Sequence, residues 1–374
     1  MSQLYYPLQS LRESSWFKLI CGASFQHLPA IRNLVLAYTL AGVDCIDVAA
    51  DPAVIAVVQE GLEVAGSLTP RKSQPWLMIS LNDGEDPHFR KAEFLPTECP
   101  HDCSRPCEKI CPAQAITFSG VNDQLCYGCG RCLPVCPHEL IYTRSYVSTP
   151  IAIAPLIENN SIDAVEIHTQ VGHFQNFQRL WQVLSPWVNK LKLLAISCPD
   201  APDLIFYLQT LHKLISPLPC PLIWQTDGRP MSGDIGIGTT AASVKLAQKV
   251  LRAGLPGYIQ LAGGTNDHTV TKLKNIGLLP KNKSEKTKPP YVSGIAYGSY
   301  ARSLLLPILN QLETINYSNI KENIASPMSQ IRSMSHLENH PDLLLKAVTQ
   351  ASQLVEQLKS SQLEFHYPKN FSPT

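Results

Sequence analysis

The sequence lacks an excess of charge of either sign. Its 374 residues carry 31 Lys and Arg against 30 Asp and Glu, a formal net charge of +1. Because so weak a field does not attract nucleic acid or anionic lipid, we expect no nucleic-acid partner. The sequence also lacks an apolar run of the roughly 18 residues that a membrane-spanning helix needs. Its first residues do not join a basic segment to an apolar core, as a secretory signal does, so we expect a cytoplasmic protein without a membrane span.

Charged residues are scarce, at 16% of the chain against 44% hydrophobic residues. This composition is typical of globular proteins and excludes a mostly disordered chain. The length suggests two domains, or one large barrel that carries an insertion.

Cysteine is concentrated in one segment. The chain has 12 cysteines, and eight of them lie between Cys99 and Cys136. A disulfide scaffold spreads its cysteines over a short secreted chain, so this crowding indicates a metal centre instead. Cys21 and Cys45 lie in apolar stretches, where we interpret them as small buried hydrophobes.

The second cysteine run has the spacing C-x2-C-x2-C-x3-C-P, which is typical of bacterial ferredoxins. Gly128 and Gly130 let the backbone bend around a cluster and leave amide groups free to point at sulfur. A zinc ribbon, the less favoured alternative, separates paired C-x2-C units by a longer gap. The ligands of this run are Cys126, Cys129, Cys132 and Cys136.

The first cysteine run ends in the same x3-C-P unit, but its earlier gaps are one residue wider. The pseudo-repeat predicts two 4Fe-4S clusters in which each run lends its last cysteine to the other. The wider gaps suggest that the cluster of the first run is incomplete or labile. One predicted ligand set is Cys126, Cys129, Cys132 and Cys111, and the other is Cys99, Cys103, Cys107 and Cys136.

Other polar residues accompany the cysteines. His101 and His138 are interpreted as solvated side chains, because eight cysteines already satisfy two clusters. The positive charges of Arg105, Lys109 and Arg131 either tune a potential or guide an acidic electron partner, or they simply form a solvated loop face.

Strand-like and helix-like segments alternate through the rest of the chain. Eight such units favour a parallel α/β fold closed as a (β/α)8 barrel, with an open doubly wound sheet as the alternative. The cysteine segment interrupts the third unit, which predicts an inserted ferredoxin-like domain. The predicted parts are 1–81 and 150–320 for the barrel, 82–149 for the insertion, and 321–374 for a C-terminal helix and tail.

Glycine-rich turns follow the seventh and eighth predicted strands, where barrels often bind phosphate. FMN or another phosphorylated ligand is one interpretation, and tight turns that need glycine are the other. The candidate residues are Gly263, Gly264, Thr265, Gly298 and Ser299.

Two further pairs lie near predicted strand ends. They are His168 with Glu166 and Cys198 with Ser197, and we favour structural roles for both because no catalytic geometry can be read.

The chain resembles the light-dependent period (LdpA) proteins of cyanobacteria. The resemblance rests on CPHDCSRPCEKICPAQAITF, CYGCGRCLPVCPHELI and FKLICGASFQHLPAIRNLVLAYTLAGVDCIDVAADPAV, and it extends over most of the sequence. It implies an iron–sulfur protein in the input to the circadian clock, one that reports cellular redox state and associates with clock-related proteins. The eight cysteines carry over as cluster ligands, and no catalytic residue does.

Three functions compete. The first is a redox-sensing regulator of clock input, with a redox protein or the quinone pool as its electron partner. The second is a ferredoxin-linked oxidoreductase with FMN in the barrel, and the third is a plain electron carrier, which leaves the barrel unexplained. The sensor is favoured, so enzymatic activity is the lesser expectation.

Overall fold

The computed structural model describes most of the chain. The described residues are 7–21, 27–69, 74–84, 90–111, 114–123, 125–126, 128, 130–145, 153–159, 162–229, 236, 238–280, 291–322 and 336–359. Cys129 and the predicted loop 281–290 lie outside them.

Eight parallel strands form a closed barrel in the order β1-β12-β11-β10-β9-β8-β3-β2. The ring closes where β1 pairs with β12, with Trp16 opposite Gly294. The predicted barrel is therefore confirmed, and the open sheet is wrong. The barrel strands are β1 (Trp16–Ile20), β2 (Cys45–Ala49), β3 (Trp76–Asn82), β8 (Ala164–His168), β9 (Leu193–Pro199), β10 (Leu222–Asp227), β11 (Tyr258–Ala262) and β12 (Gly294–Tyr297).

Helices surround the barrel. Asp51 begins α3 by accepting hydrogen bonds from the amides of Ala53 and Val54, and α2 ends at Gly42 in the left-handed region. No helix of the described residues is long and apolar enough to cross a membrane. The helices are α1 (Pro7–Arg12), α2 (Leu28–Ala41), α3 (Pro52–Leu68), α4 (Pro106–Ile110), α5 (Ile153–Asn159), α6 (Phe174–Leu184), α7 (Leu204–Ile215), α8 (Thr240–Arg252), α9 (Thr269–Asn275), α10 (Ser299–Glu322) and α11 (Pro341–Val355).

The barrel has two apolar regions. The larger lies between the strands and the helices, and the smaller fills the interior at the N-terminal end of the strands. Leu11 of α1 packs into this end and closes it. Cys21 and Cys45 are both buried, as the sequence predicts. The interior cluster is Leu11, Trp16, Cys45, Met78, Ala164, Leu193, Ala195 and Ile223.

The cysteine segment is a small unit placed between β3 and β8, which are neighbours in the barrel. The unit therefore lies within a single crossover connection, ahead of the helix α5. Its antiparallel pairs are β4 (Arg90–Glu93) with β7 (Tyr142–Ser145) and β5 (Ile116–Thr117) with β6 (Gly120–Val121). It has its own core of Ala92, Phe94, Cys107, Ala115, Ile116, Cys126, Cys132 and Ile141.

The predicted boundaries of this unit at 82 and 149 remain predictions. The barrel strand β3 runs to Asn82, and residues 85–89 and 146–152 are outside the described part. At the C-terminal side, α10 continues to Glu322, past the predicted boundary at 320.

Candidate functional site

Four thiols from both cysteine runs lie together. Burial raises the pKa of the Cys99 thiol, and the nearby thiols of Cys103 and Cys136 raise it further. Burial also raises the pKa of Cys107, again with contributions from Cys136 and Cys103. Cys136 of the second run thus lies near enough to Cys99 and Cys107 of the first run for its charge to act on both thiols. This grouping is the one that crossed ligation requires.

Three of the other thiols lie in or against the core of the unit. Cys126 and Cys132 are buried in its core, and Cys111 packs against that core. The amide of Ala92 donates a hydrogen bond to Cys126 Sγ at 3.4 Å, and the amide of Ala115 donates to Cys111 Sγ at 3.3 Å. Amide donors of this kind stabilise the negative charge on a ligating sulfur.

The donor set fits iron–sulfur clusters. Every cysteine in the described part of the chain is free rather than disulfide-bonded. Among the same residues, no three His, Cys, Asp or Glu side chains converge on a single ion. Free thiols with amide donors beside them suit the sulfur ligands of an iron–sulfur cluster.

The backbone of the second run is shaped by glycine. Gly128 and Gly130 both have φ of +74°, in the left-handed region that other residues adopt only at a cost. The predicted need for glycine in this loop is therefore visible in its backbone.

The first run packs on the β5–β6 hairpin. The guanidinium of Arg105 lies 4.2 Å from the centre of the Phe118 ring, and the His101 ring lies 5.2 Å from it. These contacts hold the loop between Cys103 and Cys107 against the hairpin. Both His101 and His138 are exposed.

A layer of polar side chains crosses the barrel interior above its apolar end. Lys18 donates to Asp47 at 2.8 Å and also to Glu166. Gln225 donates to the other oxygen of Glu166 at 2.5 Å and accepts from Gln260, also at 2.5 Å. Since β1 and β8 are not adjacent strands, the Lys18–Glu166 bond must pass through the interior.

Charge in this layer is fixed by pairing. Burial alone lowers the pKa of Lys18, but Asp47 and Glu166 raise it above its usual value. Burial raises the pKa of Glu166, yet Lys18 and His168 lower it to about 2. For Asp47, burial prevails and raises the pKa. An ionised Lys18–Glu166 pair therefore stands at the centre of the barrel.

Sequence reasoning singled out only Glu166 and His168 of this layer. A signal was present, because Lys18 and Asp47 each interrupt an apolar strand that the alternation of elements predicts to be buried. His168 Nε2 lies 3.0 Å from Glu166, and burial raises the pKa of Cys198 to about 12. Both findings agree with the structural roles favoured for these pairs.

The glycine turns at the C-terminal end of the barrel lie on neighbouring strands. Gly263 and Gly264 directly follow β11, and Gly298 directly follows β12. The Thr265 hydroxyl joins the two strand ends by donating to the carbonyl of Ala296 at 2.6 Å. Ser299 begins α10 beside them.

Two of these glycines are closely packed. A Cβ on Gly263 would stand 2.1 Å from Asp227 Oδ1, and one on Gly264 would stand 2.6 Å from the carbonyl of Thr239. Both have positive φ. These contacts support the tight-turn interpretation, and the phosphate site stays a prediction.

Comparison with known proteins identifies the family. Residues 99–147 match the LdpA Fe-S cluster-binding domain, and residues 156–357 match the light dependent period A C-terminal domain. The protein named "Light dependent period A" of Synechococcus elongatus is 51% identical over 95% of this chain and 94% of its own length. The chain belongs to the light dependent period A family. Its cysteine unit is accordingly an iron–sulfur cluster-binding domain of that family.

Other similarities are more limited. An uncharacterized ferredoxin of Methanocaldococcus jannaschii is 35% identical over 56 residues, which cover 14% of this chain and 34% of the ferredoxin. Among solved structures, tryptophan synthase of Mycobacterium tuberculosis is 8% identical over 96% of this chain and 99% of its own, with a TM-score of 0.42. N-acetylneuraminate lyase of Mycoplasma synoviae is 9% identical over 92% and 98%, with a TM-score of 0.36.

Proposed function

We propose that this protein is an iron–sulfur redox sensor that modulates the input of a circadian clock in response to cellular redox state. The observation that carries the proposal is the grouping of Cys136 with Cys99, Cys103 and Cys107. It supports two 4Fe-4S clusters with crossed ligation, held by the eight cysteines. Membership of the light dependent period A family supports the role in timing.

The change of charge on reduction supports a sensor rather than a simple electron carrier. One-electron reduction adds a negative charge to a partly buried site, where Coulomb energies between charges about 4 Å apart reach roughly 4 kcal/mol. The β4–β7 pair brings the two ends of the small unit together. A change of charge in the unit therefore biases how it packs, and that changes its affinity for a partner.

Cluster content tests the foundation of this proposal. Protein purified without oxygen should contain about eight irons and eight acid-labile sulfides if both clusters are complete. A deficit of iron confined to the cluster of the first run would agree with the wider gaps between the cysteines of that run. Stoichiometric zinc without labile sulfide would contradict the proposal.

Redox-dependent protection tests the sensing step. Limited proteolysis of oxidised and reduced protein should give different patterns, and Cys103→Ser should abolish the difference while the cluster of the Cys126 loop persists. Cys220→Ser, outside the unit, is the matched control and should behave as the wild type. Identical patterns and identical partner binding in both redox states would defeat the sensor.

The partners follow from the same proposal. Clock-associated proteins would bind the sensor according to its redox state. A redox protein or the quinone pool would reduce or oxidise its clusters in the cytoplasm. Neither step involves nucleic acid.

A ferredoxin-linked oxidoreductase is the second candidate. The observation that favours it is the adjacency of the Gly263–Gly264 and Gly298 turns at the end of the barrel where such folds bind phosphate. Denaturation would then release FMN in a one-to-one ratio with protein. Protein that contains iron but no flavin, and that shows no turnover with common electron donors, would contradict the oxidoreductase and support the sensor.

A further inference from the structure

The strand β4 lies along the loop that carries the second cysteine run. Arg90 Nε donates a hydrogen bond to the carbonyl of Gly128 at 3.1 Å. Its Nη2 lies 2.9 Å from the position that a Cβ on Gly130 would take. The guanidinium therefore rests on the glycine turns between Cys126 and Cys132.

The same strand supplies a second donor to the loop. The amide of Ala92 donates to Cys126 Sγ, as described above. One short strand thus places a fixed cation and an amide dipole beside the thiols of one predicted cluster.

We propose that Arg90 sets the reduction potential of the cluster held by the Cys126 loop. Reduction makes a cluster more negative, so a nearby cation stabilises the reduced state and raises the potential. Arginine keeps its charge at every physiological pH, which makes the effect constant. The inference rests on the proposed iron–sulfur function, and it makes Arg90 a tuning residue rather than a ligand.

Two other cations of the β4–β7 pair are offset by carboxylates. Lys91 donates to the backbone carbonyl of Asp123, and the charge of Asp123 acts on its ammonium more strongly than that of Cys126 does. Arg144 lies 2.7 Å from Asp123 and 3.0 Å from Glu93, and its side chain is 53% exposed. The charge of Arg144 is therefore both paired and screened by solvent.

The test measures midpoint potentials of the full-length protein by redox titration followed with electron paramagnetic resonance. In Arg90→Gln, one cluster should become harder to reduce. At a fixed ambient potential its reduced-to-oxidised ratio should fall about tenfold, which is about 59 mV for a one-electron couple. The other cluster should keep its midpoint. Arg90→Lys should restore most of the shift, and Arg144→Gln should cause none.

Arg90→Gln that holds its full iron and sulfide with both midpoints unchanged would overturn the inference. If that variant fails to assemble its clusters, Arg90→His decides the question, because an imidazole gains its positive charge as the pH falls through about 6.5. The midpoint of the cluster held by the Cys126 loop should then rise relative to the wild type as the pH is lowered. A midpoint that stays parallel to that of the wild type over this pH range would overturn the inference.

Failure of this inference is distinguishable from failure of the proposed function. If the wild-type protein contains zinc and no labile sulfide, the proposed iron–sulfur function is wrong. If the clusters are intact but their potentials do not change when Arg90 is replaced, only the tuning role of Arg90 is wrong.

Discussion

Lys18 lies in the centre of the barrel with its side chain 0% exposed. Taking an ammonium and two carboxyl groups out of water carries a large desolvation penalty, which only close pairing offsets. Asp47 is held further by the Ser80 hydroxyl, which donates to it at 2.7 Å. The side chains of this layer therefore depend on one another, and removing Lys18 leaves both carboxyl groups buried without the cation that they share.

Lys18→Met should destabilise the protein strongly. Leaving Glu166 buried without its cation costs on the order of 3–5 kcal/mol in the free energy of unfolding. Urea unfolding measures the loss. Lys192→Met is the matched control, because Lys192 pairs with Asp163 at 2.6 Å but is 56% exposed, and it should cost less than about 1 kcal/mol. Equal losses in the two variants would contradict the account of the interior.

The contacts of the interior layer could not be predicted from single residues of the sequence. Lys18 in an apolar strand signals a buried charge, but its partner Glu166 lies on a strand far along the chain. Only the barrel geometry brings them together. The iron–sulfur domain could be predicted because the spacing of its cysteines is local, and their assignment as ligands stays a prediction.

At the scale of elements, buried polar contacts dock the C-terminal segment on the barrel. Glu338 accepts two hydrogen bonds from Arg32 of α2, at 2.9 and 2.5 Å. Lys359, beyond α11, lies 2.8 Å from the buried Asp44. These pairs anchor both ends of α11, whose apolar face packs into the main core.

Acid should loosen this docking. Burial raises the pKa of Glu338, but His336 and Arg32 together lower it to about 2. A carboxyl group with a depressed pKa stabilises the fold above its unfolded pKa of about 4.5, and that stability is lost as the pH falls towards 2. Hydrogen exchange in residues 337–355 should therefore rise across this window.

The matched variants isolate the carboxyl group. Glu338→Gln should weaken the docking at neutral pH and remove its share of the pH dependence. Glu356→Gln, an exposed position just after α11, should leave both unchanged. If Glu338→Gln shows the same acid profile as the wild type, another group controls the docking.

Helix ends were less predictable than helix positions. The sequence pattern predicts a helix over Ala301 to Leu312, whereas α10 runs from Ser299 to Glu322 and passes through Pro307. Proline removes one helical hydrogen bond, so it marks a probable end in a sequence. Packing of α10 against α2 and α11 sustains the helix across it.

At the scale of the whole molecule, two cores of very different size share one chain. The core of the inserted unit has eight buried members, and three of them are the cysteines Cys107, Cys126 and Cys132. Among the described residues, the barrel core contains none of the predicted cluster cysteines. On the proposed ligation, metal binding therefore stabilises the unit and not the barrel.

Removal of the clusters should unfold the unit selectively. After treatment with a chelator and an oxidant, limited proteolysis should cut within residues 90–145 and leave the barrel resistant. The nicked protein should retain the thermal transition of the barrel. Loss of both parts in a single step would contradict the predicted domain organisation.

The pairing of β1 with β12 also sets the order in which the chain becomes able to fold. The first barrel strand leaves the ribosome long before its partner, because Trp16 pairs with Gly294. The strand pair of the inserted unit is much closer in sequence, since β4 pairs with β7. All eight cysteines emerge before β8 is made, so the proposed ligand set is complete while the barrel is still an open, growing sheet. Metal supply at that moment acts on a nascent chain, ahead of the closure that finishes the molecule.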